Sequence, residues 1–347
     1  MESLLREWDG DSVIFRFDRL CGAWIIIAIH STRLGPATGG TRMKHYPHVQ
    51  AAVQDAQRLA RGMSYKWAAA GLDAGGGKAV IAIPPDLGPP ARTDLLRRYG
   101  AFIHQLRGLF LTGPDLGTTS EDMDIIAENA APYVFCRTPA AGGSGNPGPF
   151  TALGVFTSIQ VVVEQLFGDA SLRDKQVLVQ GVGSVGGELI KLLRQAGAEI
   201  SFSDVDPISI QHFRRQLGLQ FVPPGEVYDV HCHIFAPCAI GGVLNEETIP
   251  RLGCRAVVGG ANNQLATPQD AVRLQARQIL YAPDFVTNSG GAIAAIGMET
   301  GGWSPAEARE RVAQMIKSNL FEILELATQE EVPPDAAAQR IAERRLA

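Results

Sequence analysis

The sequence predicts an α/β protein of two domains. Three observations carry this. The chain has 347 residues, about two typical domains' worth. In its second half, apolar strand-like runs alternate with helical patterns, the signature of a parallel sheet covered on both faces. Between the halves lies PAAGGSGNPGPF, Pro139 to Phe150, rich enough in glycine and proline to read as a hinge loop. Hydrophobic residues make up 46% and charged residues 19%, ordinary for a folded enzyme.

The elements follow in order. DSVIFRF and AWIIIAI, Ala23 to Ile29, read as strands. A helix over Val49 to Met63 places Ala52, Val53, Ala56, Leu59 and Ala60 at helical spacing. KAVIAIP, Lys78 to Pro84, is a strand stopped by prolines. A helix over Ala91 to Gly108, the strand LFLTG and a helix from Ser120 or Glu121 to Asn129 come next, with Ser120 as the expected N-cap. Beyond the hinge loop come a helix over Thr151 to Phe167, the strand QVLVQG, a helix over Ser184 to Gln195, the strand EISFSD and a helix over Pro207 to Leu217. Strands near His231 to Ala236, at CRAVVGG and at ILYAPD follow. A long helix over Pro305 to Glu330 and a short one from Pro334 end the chain.

QVLVQGVGSVGGEL carries Gly181, Gly183 and Gly186 in G-x-G-x-x-G spacing, after a strand and before a helix. Gly181 permits the tight turn, Gly183 lets backbone approach a pyrophosphate, and Gly186 allows close helix packing. The helix N-terminus supplies unpaired N–H groups and a positive dipole end. The next strand ends at Asp204, about 20 residues on, where a ribose-binding carboxylate belongs. A carboxylate there favours NAD and repels the 2′-phosphate of NADP. Val205, Asp206 and Pro207 offer no cation to reverse this. A glycine-rich turn without a ligand is the competing reading, and the complete strand–helix–strand–acid context weighs against it.

The stretch MSYKWAAAGLDAGGGKAVI holds Lys66 and Lys78 among small and apolar residues. It is not an ATP-binding phosphate loop, which needs glycine where Leu72 stands and Ser or Thr where Ala79 stands. Gly75 to Gly77 would leave room for a ligand, and Lys78 opens a buried strand. A lysine in low dielectric beside a second ammonium, here Lys66, loses its proton more readily and becomes a general base. Composition alone leaves open that both are ordinary surface lysines.

LGPATGGTRM, RLARGMSYKWAAAGLDAGGGKAVI, TGPDLGTT, SGNPGPFTALGVF, VQGVGSVG, IFAPCAIGGVLN, ANNQL and APDFVTNSGGAI occur in that order. In these motifs the chain resembles the Glu/Leu/Phe/Val dehydrogenase superfamily, in its leucine and phenylalanine dehydrogenase branch. The resemblance runs from about Ile25 to Leu346. It implies a substrate-binding, catalytic and dimerisation domain over residues 1–138, a Rossmann-like NAD-binding domain over 139–325 and a C-terminal helix, 326–347, packing back on the first, with a cleft between the domains. It implies NAD-dependent, reversible oxidative deamination of an L-amino acid to the 2-oxo acid and ammonia, by a homo-oligomer.

The resemblance also assigns roles. Lys66 would hold the substrate carboxylate with Asn263, and Gly39, Gly40 and Met63 would line the site. Lys78 would be the catalytic base, and Asp115 would handle the protons of the amino group. Thr151 would sit near the nicotinamide. Val182, Ser184, Val185, Val205, Ala236, Pro237, Cys238, Asn262 and Asn288 would join the glycines and Asp204 around the cofactor. Leucine enzymes tend to carry Ala where this chain has Gly113 and Val where it has Ala292. Both replacements would enlarge the pocket and favour phenylalanine or another bulky side chain, with leucine still possible. GMETGGWS also looks closer to the phenylalanine enzymes. Ser289 stands where the family usually has alanine. A non-catalytic NAD-binding regulatory protein is the competing reading, and Lys66, Lys78 and Asp115 together weigh against it.

Other classes find little support. The net charge is −5, and no cationic run suggests nucleic acid or a membrane surface. Apolar runs such as AWIIIAI fall short of the roughly 20 residues that span a bilayer. The five cysteines, odd in number and irregularly spaced, point to free thiols in the cytoplasm. His231, Cys232, His233 and Cys238 lack the spacing of a metal site. Ser144 lacks the strand–turn–helix setting of a nucleophile.

Overall fold

The structure, a computed structural model, describes residues 2–347. The chain divides into two units. The first comprises residues 2–146, 295–302 and 342–347; the second comprises 147–294 and 303–341.

The first unit opens with the short helix α1 (Glu2–Arg6). It continues through β1 (Ser12–Asp18), β2 (Ala23–Ser31), β3 (Ala37–Lys44), α2 (Val49–Ala69), β4 (Gly75–Ala82), α3 (Pro89–Gln105), β5 (Phe110–Pro114) and α4 (Ser120–Ala130). Its mixed sheet has the order β1-β2-β4-β3-β5. The hairpin partners β1 and β2 are antiparallel, β2 is antiparallel to β4, and β3 runs parallel to both β4 and β5. One face buries Ile25, Ile27, Ala79, Ile81 and Phe110 against α3 and α4; the other buries Ile26, Ala28 and Val80 against Ala52, Val53 and Ala56 of α2. Period-two alternation therefore sends Lys78, between Gly77 and Ala79, to the α2 face.

α2 is longer than its apolar spacing suggests. It runs through the MSYKW stretch and stops at Gly71, whose φ of 74° closes a Schellman turn: Gly71 N donates to Ala68 O at 3.1 Å and Leu72 N to Trp67 O at 3.0 Å. For α4 the N-cap is Thr119 and not Ser120. Thr119 Oγ1 accepts from Asp122 N at 3.3 Å, and Asp122 returns a bond from Thr119 N at 2.9 Å. The strand β3, with its adjacent glycines, has no period-two signal in the sequence.

The second unit holds α5 (Gly148–Phe167), β6 (Gln176–Gln180), α6 (Ser184–Gln195), β7 (Glu199–Ser203), α7 (Pro207–Gln211) with a wider turn after it, and β8 (Gln220–Phe221). Then follow β9 (Ile234–Pro237), β10 (Ala256–Val257), α8 (Gln269–Ala276), β11 (Leu280–Tyr281) and α9 (Asp284–Thr287). α10 (Gly290–Glu299), α11 (Pro305–Gln329) and α12 (Pro334–Leu346) complete the chain. The sheet is wholly parallel, in the order β11-β10-β9-β6-β7-β8. Strand order reverses between β6 and β9, the switch point at which doubly wound sheets bind ligands. α5 is apolar and long enough to cross a membrane. Here it is a core helix, with Ala152, Val155, Ile159 and Val162 fully buried. The expectation that the apolar stretches fall short of a membrane span does not hold for this helix.

The glycine-rich loop before α5 is pinned rather than loose. Glu299 Oε1 accepts from Cys136 N at 2.7 Å, Ser144 N at 2.9 Å and Ser144 Oγ at 2.5 Å. All five cysteines are free.

Candidate active site

Lys78 is 5% exposed, and its Nζ lies 3.2 Å from Asp115 Oδ1. Asp115 follows β5 and is fixed locally: its N–H donates to Thr118 Oγ1 at 2.9 Å, and Thr118 Oγ1 donates to Thr41 O at 2.8 Å. Burial pushes the Lys78 ammonium below its ordinary range, and the nearby Arg42 guanidinium adds to that, against the pull of Asp115. For Asp115 burial is the largest influence and acts upward. Lys78 and Arg42 outweigh it, and the carboxyl lies below its ordinary value. An amine that sheds its proton readily therefore sits beside a carboxylate that stays charged.

A cation that the sequence did not single out, Arg42, stands beside the Lys78–Asp115 pair. Arg42 Nε donates to the far oxygen of Asp115 at 2.8 Å, and its Nη1 to Asp55 Oδ2 at 3.0 Å. Asp55 also accepts from Tyr46 Oη at 2.6 Å and Arg58 Nη2 at 2.7 Å. Nothing in the spacing of Arg42, Tyr46 and Asp55 singled them out. β3 and the first turns of α2 bring them together only through the tertiary fold.

Gly39, Gly40 and Met63 do meet around β3. Met63 Cγ lies 3.3 Å from where a Cβ on Gly39 would stand, and a Cβ on Gly40 would press on Asp115 Cβ at 2.9 Å. Lys66, partly buried, lies in the last turns of α2. The neighbouring Trp67 Nε1 donates to Thr38 O at 2.8 Å and fixes this part of the helix on β3.

Two expectations need correction. Gly75 to Gly77 do not leave room for a ligand. They belong to β4, and side chains there would collide with Ser64 of α2 at Gly76 and with the Phe110 ring at Gly77. These glycines let a helix and a core ring approach the strand. The space at Gly113 is likewise not open, because the Phe135 ring stands where a methyl group would be, with Cδ2 and Cζ at 2.8 Å. Gly113 alone therefore does not enlarge the pocket.

In the second unit, Gly181 is left-handed with φ 88°, as a tight turn requires. A Cβ on Gly186 would collide with the Gly181 carbonyl, whereas Gly183 borders open space and caps α6 without a side chain. Asp204 Oδ2 accepts from Val182 N at 2.7 Å, and Oδ1 accepts from Val205 N at 2.7 Å and Asp206 N at 2.8 Å. Val205 itself is exposed. A bare loop, an open glycine and a carboxylate tied to the same loop fit a dinucleotide whose pyrophosphate rests on α6 near Ser184 and Val185.

Other candidates cluster at the same strand ends. Ala236 and Pro237 close β9, and Cys238 N donates to Gln180 O at 2.7 Å. Burial holds the Cys238 thiol up to about 12, which favours the protonated form. Asn262 Oδ1 accepts from Asn288 Nδ2 at 2.8 Å, and Asn263, left-handed at φ 52°, accepts from Gly242 N at 2.7 Å through its carbonyl. Thr151 Oγ1 donates to Pro147 O at 3.1 Å and lies against Gly291; Ala292 follows on α10. Ser289 is fully buried and donates to Val286 O at 2.7 Å, so its hydroxyl is satisfied internally. Among the described residues no group of three or more His, Cys, Asp or Glu is arranged to hold a metal.

Comparison with known proteins decides the family. Residues 19–131 match the Glu/Leu/Phe/Val dehydrogenase dimerisation domain, and residues 142–210 and 205–347 match the Glutamate/Leucine/Phenylalanine/Valine dehydrogenase model. The chain belongs to the Glu/Leu/Phe/Val dehydrogenase family. It is 42% identical over 345 residues to leucine dehydrogenase of Thermoactinomyces intermedius, covering 99% of this chain and 92% of that protein. It is 41% identical over 343 residues to L-tryptophan dehydrogenase of Nostoc punctiforme, covering 99% and 95%. A crystal structure of L-tryptophan dehydrogenase from Nostoc punctiforme superposes with a TM-score of 0.84 at 39% identity, covering 100% of this chain and 98% of that one. This dehydrogenase therefore has the family's two-domain α/β architecture and is an amino acid dehydrogenase.

Proposed function

We propose that this dehydrogenase carries out the NAD-dependent, reversible oxidative deamination of a large hydrophobic L-amino acid to its 2-oxo acid and ammonia. The observation that carries the proposal is the buried Lys78–Asp115 pair, a ready base beside a fixed carboxylate. Lys66 holds the substrate carboxylate by charge-assisted bonds, and Gly39, Gly40 and Met63 shape the space around it. Bound NAD, resting on Gly181 to Gly186 with its ribose on Asp204, supplies the hydride acceptor. Hydride loss from Cα leaves an iminium carbon. Neutral Lys78 takes a proton from the water that attacks it, and Asp115 relays that proton from Lys78 to the carbinolamine nitrogen. The C–N bond then breaks to release ammonia as Lys78 takes the hydroxyl proton and the 2-oxo acid forms.

The substrate assignment favours phenylalanine or another aromatic side chain, with leucine as the alternative. Its support is Ala292 and the GMETGGWS segment; Gly113 contributes less than its size suggests, because Phe135 fills the space. The assembly is a homo-oligomer, formed through the domain whose family model is described as a dimerisation domain. Initial rates of NADH formation at alkaline pH with L-Phe, L-Trp, L-Leu and L-Val test both parts. A clear preference for L-Val overturns the substrate assignment. No turnover of any amino acid, with NADH still bound, favours a regulatory NAD-binding protein instead.

A further inference from the structure

One carboxylate in the first unit is shared by two cations. Asp115 gives Oδ1 to Lys78 at 3.2 Å and Oδ2 to Arg42 at 2.8 Å. The other arm of Arg42 is held at 3.0 Å by Asp55, which Tyr46 and Arg58 hold in turn. The side chains of Arg42, Asp55 and Asp115 are all less than one fifth exposed. A planar guanidinium can reach two carboxylates at once in a fixed geometry, which an ammonium does not do.

We propose that Arg42 is a positioning residue for the deamination: anchored on Asp55, it fixes the Asp115 carboxylate against Lys78 and supplies the cation that opposes protonation of Lys78. The inference rests on the reading of Lys78 as the base. Asp115 alone would hold Lys78 as an ammonium, and an ammonium accepts no proton. The charges around Lys78 come from three elements. The end of β5 contributes Asp115, β3 contributes Arg42, and α2 contributes Asp55 with Arg58 beyond it; α2 also carries the partly buried Lys66. β2 pairs Ala28 with Lys78 and turns His30 to the same α2-facing side, where it bonds Ser64 Oγ at 2.8 Å, and Tyr46 meets Asp55 through its hydroxyl. In this arrangement Asp115 and Asp55 favour the ammonium, while Arg42 and burial disfavour it.

The two neighbours of Asp115 therefore predict shifts of opposite sign. In Arg42→Met the protonation midpoint of Lys78 rises by about one pH unit or more, as expected for losing a cation at this range. In Asp55→Asn, which leaves Arg42 less compensated, it falls. Arg42→Lys keeps the charge but not the fork, so the midpoint stays near wild type while kcat drops about tenfold or more at unchanged KM.

The midpoint is read by ¹³C NMR of the lysine Cε signals, with Lys78 assigned from the spectrum of Lys78→Arg, and in parallel from the acid limb of kcat/KM. The NMR readout requires no turnover, so a protein that deaminates nothing refutes the proposed function while the Arg42 inference is still decided. An unmoved midpoint in folded Arg42→Met, or a shift of the same sign in Arg42→Met and Asp55→Asn, overturns the inference. Should Arg42→Met not fold, an Asp55→Asn midpoint that is unchanged or higher does so.

Discussion

Gly76→Ala tests how closely α2 must approach the sheet. A Cβ on Gly76 would meet the Cα of Ser64 at 2.6 Å and also run into its backbone nitrogen and hydroxyl; ordinary contact begins at 3.4 Å. Two of these three atoms are helix backbone, so rotating a side chain does not relieve the clash. α2 must lift by about 0.8 Å or more, and overpacking of this kind costs roughly 1–3 kcal/mol. The same turns of α2 carry Met63 and Lys66, proposed to shape the substrate site and hold the carboxylate. A displacement near 1 Å at a positioning residue lowers catalysis by about 100-fold. Gly62→Ala is the control. Gly62 lies two residues before Ser64, on the exposed side of α2, with nothing within 4 Å of a new methyl, so alanine gains up to about 1 kcal/mol of helix propensity there. Urea midpoints and kcat/KM with the preferred amino acid should thus separate two Gly→Ala changes on adjoining elements. If Gly76→Ala keeps wild-type stability and kcat/KM within twofold, the glycine is not there for helix approach and the reasoning fails.

Three further outcomes follow from the site and the core. Lys78→Ala should lower turnover by about 10²–10⁴-fold while NADH binding, followed by fluorescence, survives; near-normal turnover removes Lys78 from its role. Phe135→Ala frees the space beside Gly113 and should raise the ratio of kcat/KM for L-Trp over L-Leu about tenfold; an unchanged ratio means Phe135 does not bound the side-chain pocket. Asp335 is 8% exposed, and burial, with Asp284 nearby, raises its carboxyl from 3.8 to about 6. The folded state therefore favours the protonated form, so the stability associated with this group is full below pH 3.8 and lost as pH rises through about 6. Asp335→Asn, which can still accept from Gln339, should gain up to about 3 kcal/mol at pH 8 and little at pH 3.5 by urea unfolding; equal effects at both pH values refute this.

What was legible in the sequence was what is contiguous along it. The Gly181–Gly186 loop, its flanking strand and helix, and Asp204 lie within one strand–helix–strand unit. Hydrophobic period, turn chemistry and the acid therefore agreed without knowledge of the rest of the fold. Lys78 stood out because a lysine in an apolar strand is costly unless it is used. Arg42 did not, because an arginine in a polar stretch is ordinary, and its strand has two glycines where a period-two pattern should be.

Glycine misled for a physical reason. The residue has one chemical property, the lack of a Cβ, and three structural uses. At Gly181 that lack permits a left-handed turn, at Gly183 it leaves open space, and at Gly76 it admits a helix. Only the first is a property of the local chain. The other two depend on what lies opposite, and at Gly76 and Gly113 that is another part of the fold, the backbone and hydroxyl of Ser64 in one case and the Phe135 ring in the other. The space at Gly113 is therefore set by the pair of Gly113 with Phe135 rather than by the small residue alone, so comparing one position at a time with a leucine enzyme overstates the proposed pocket.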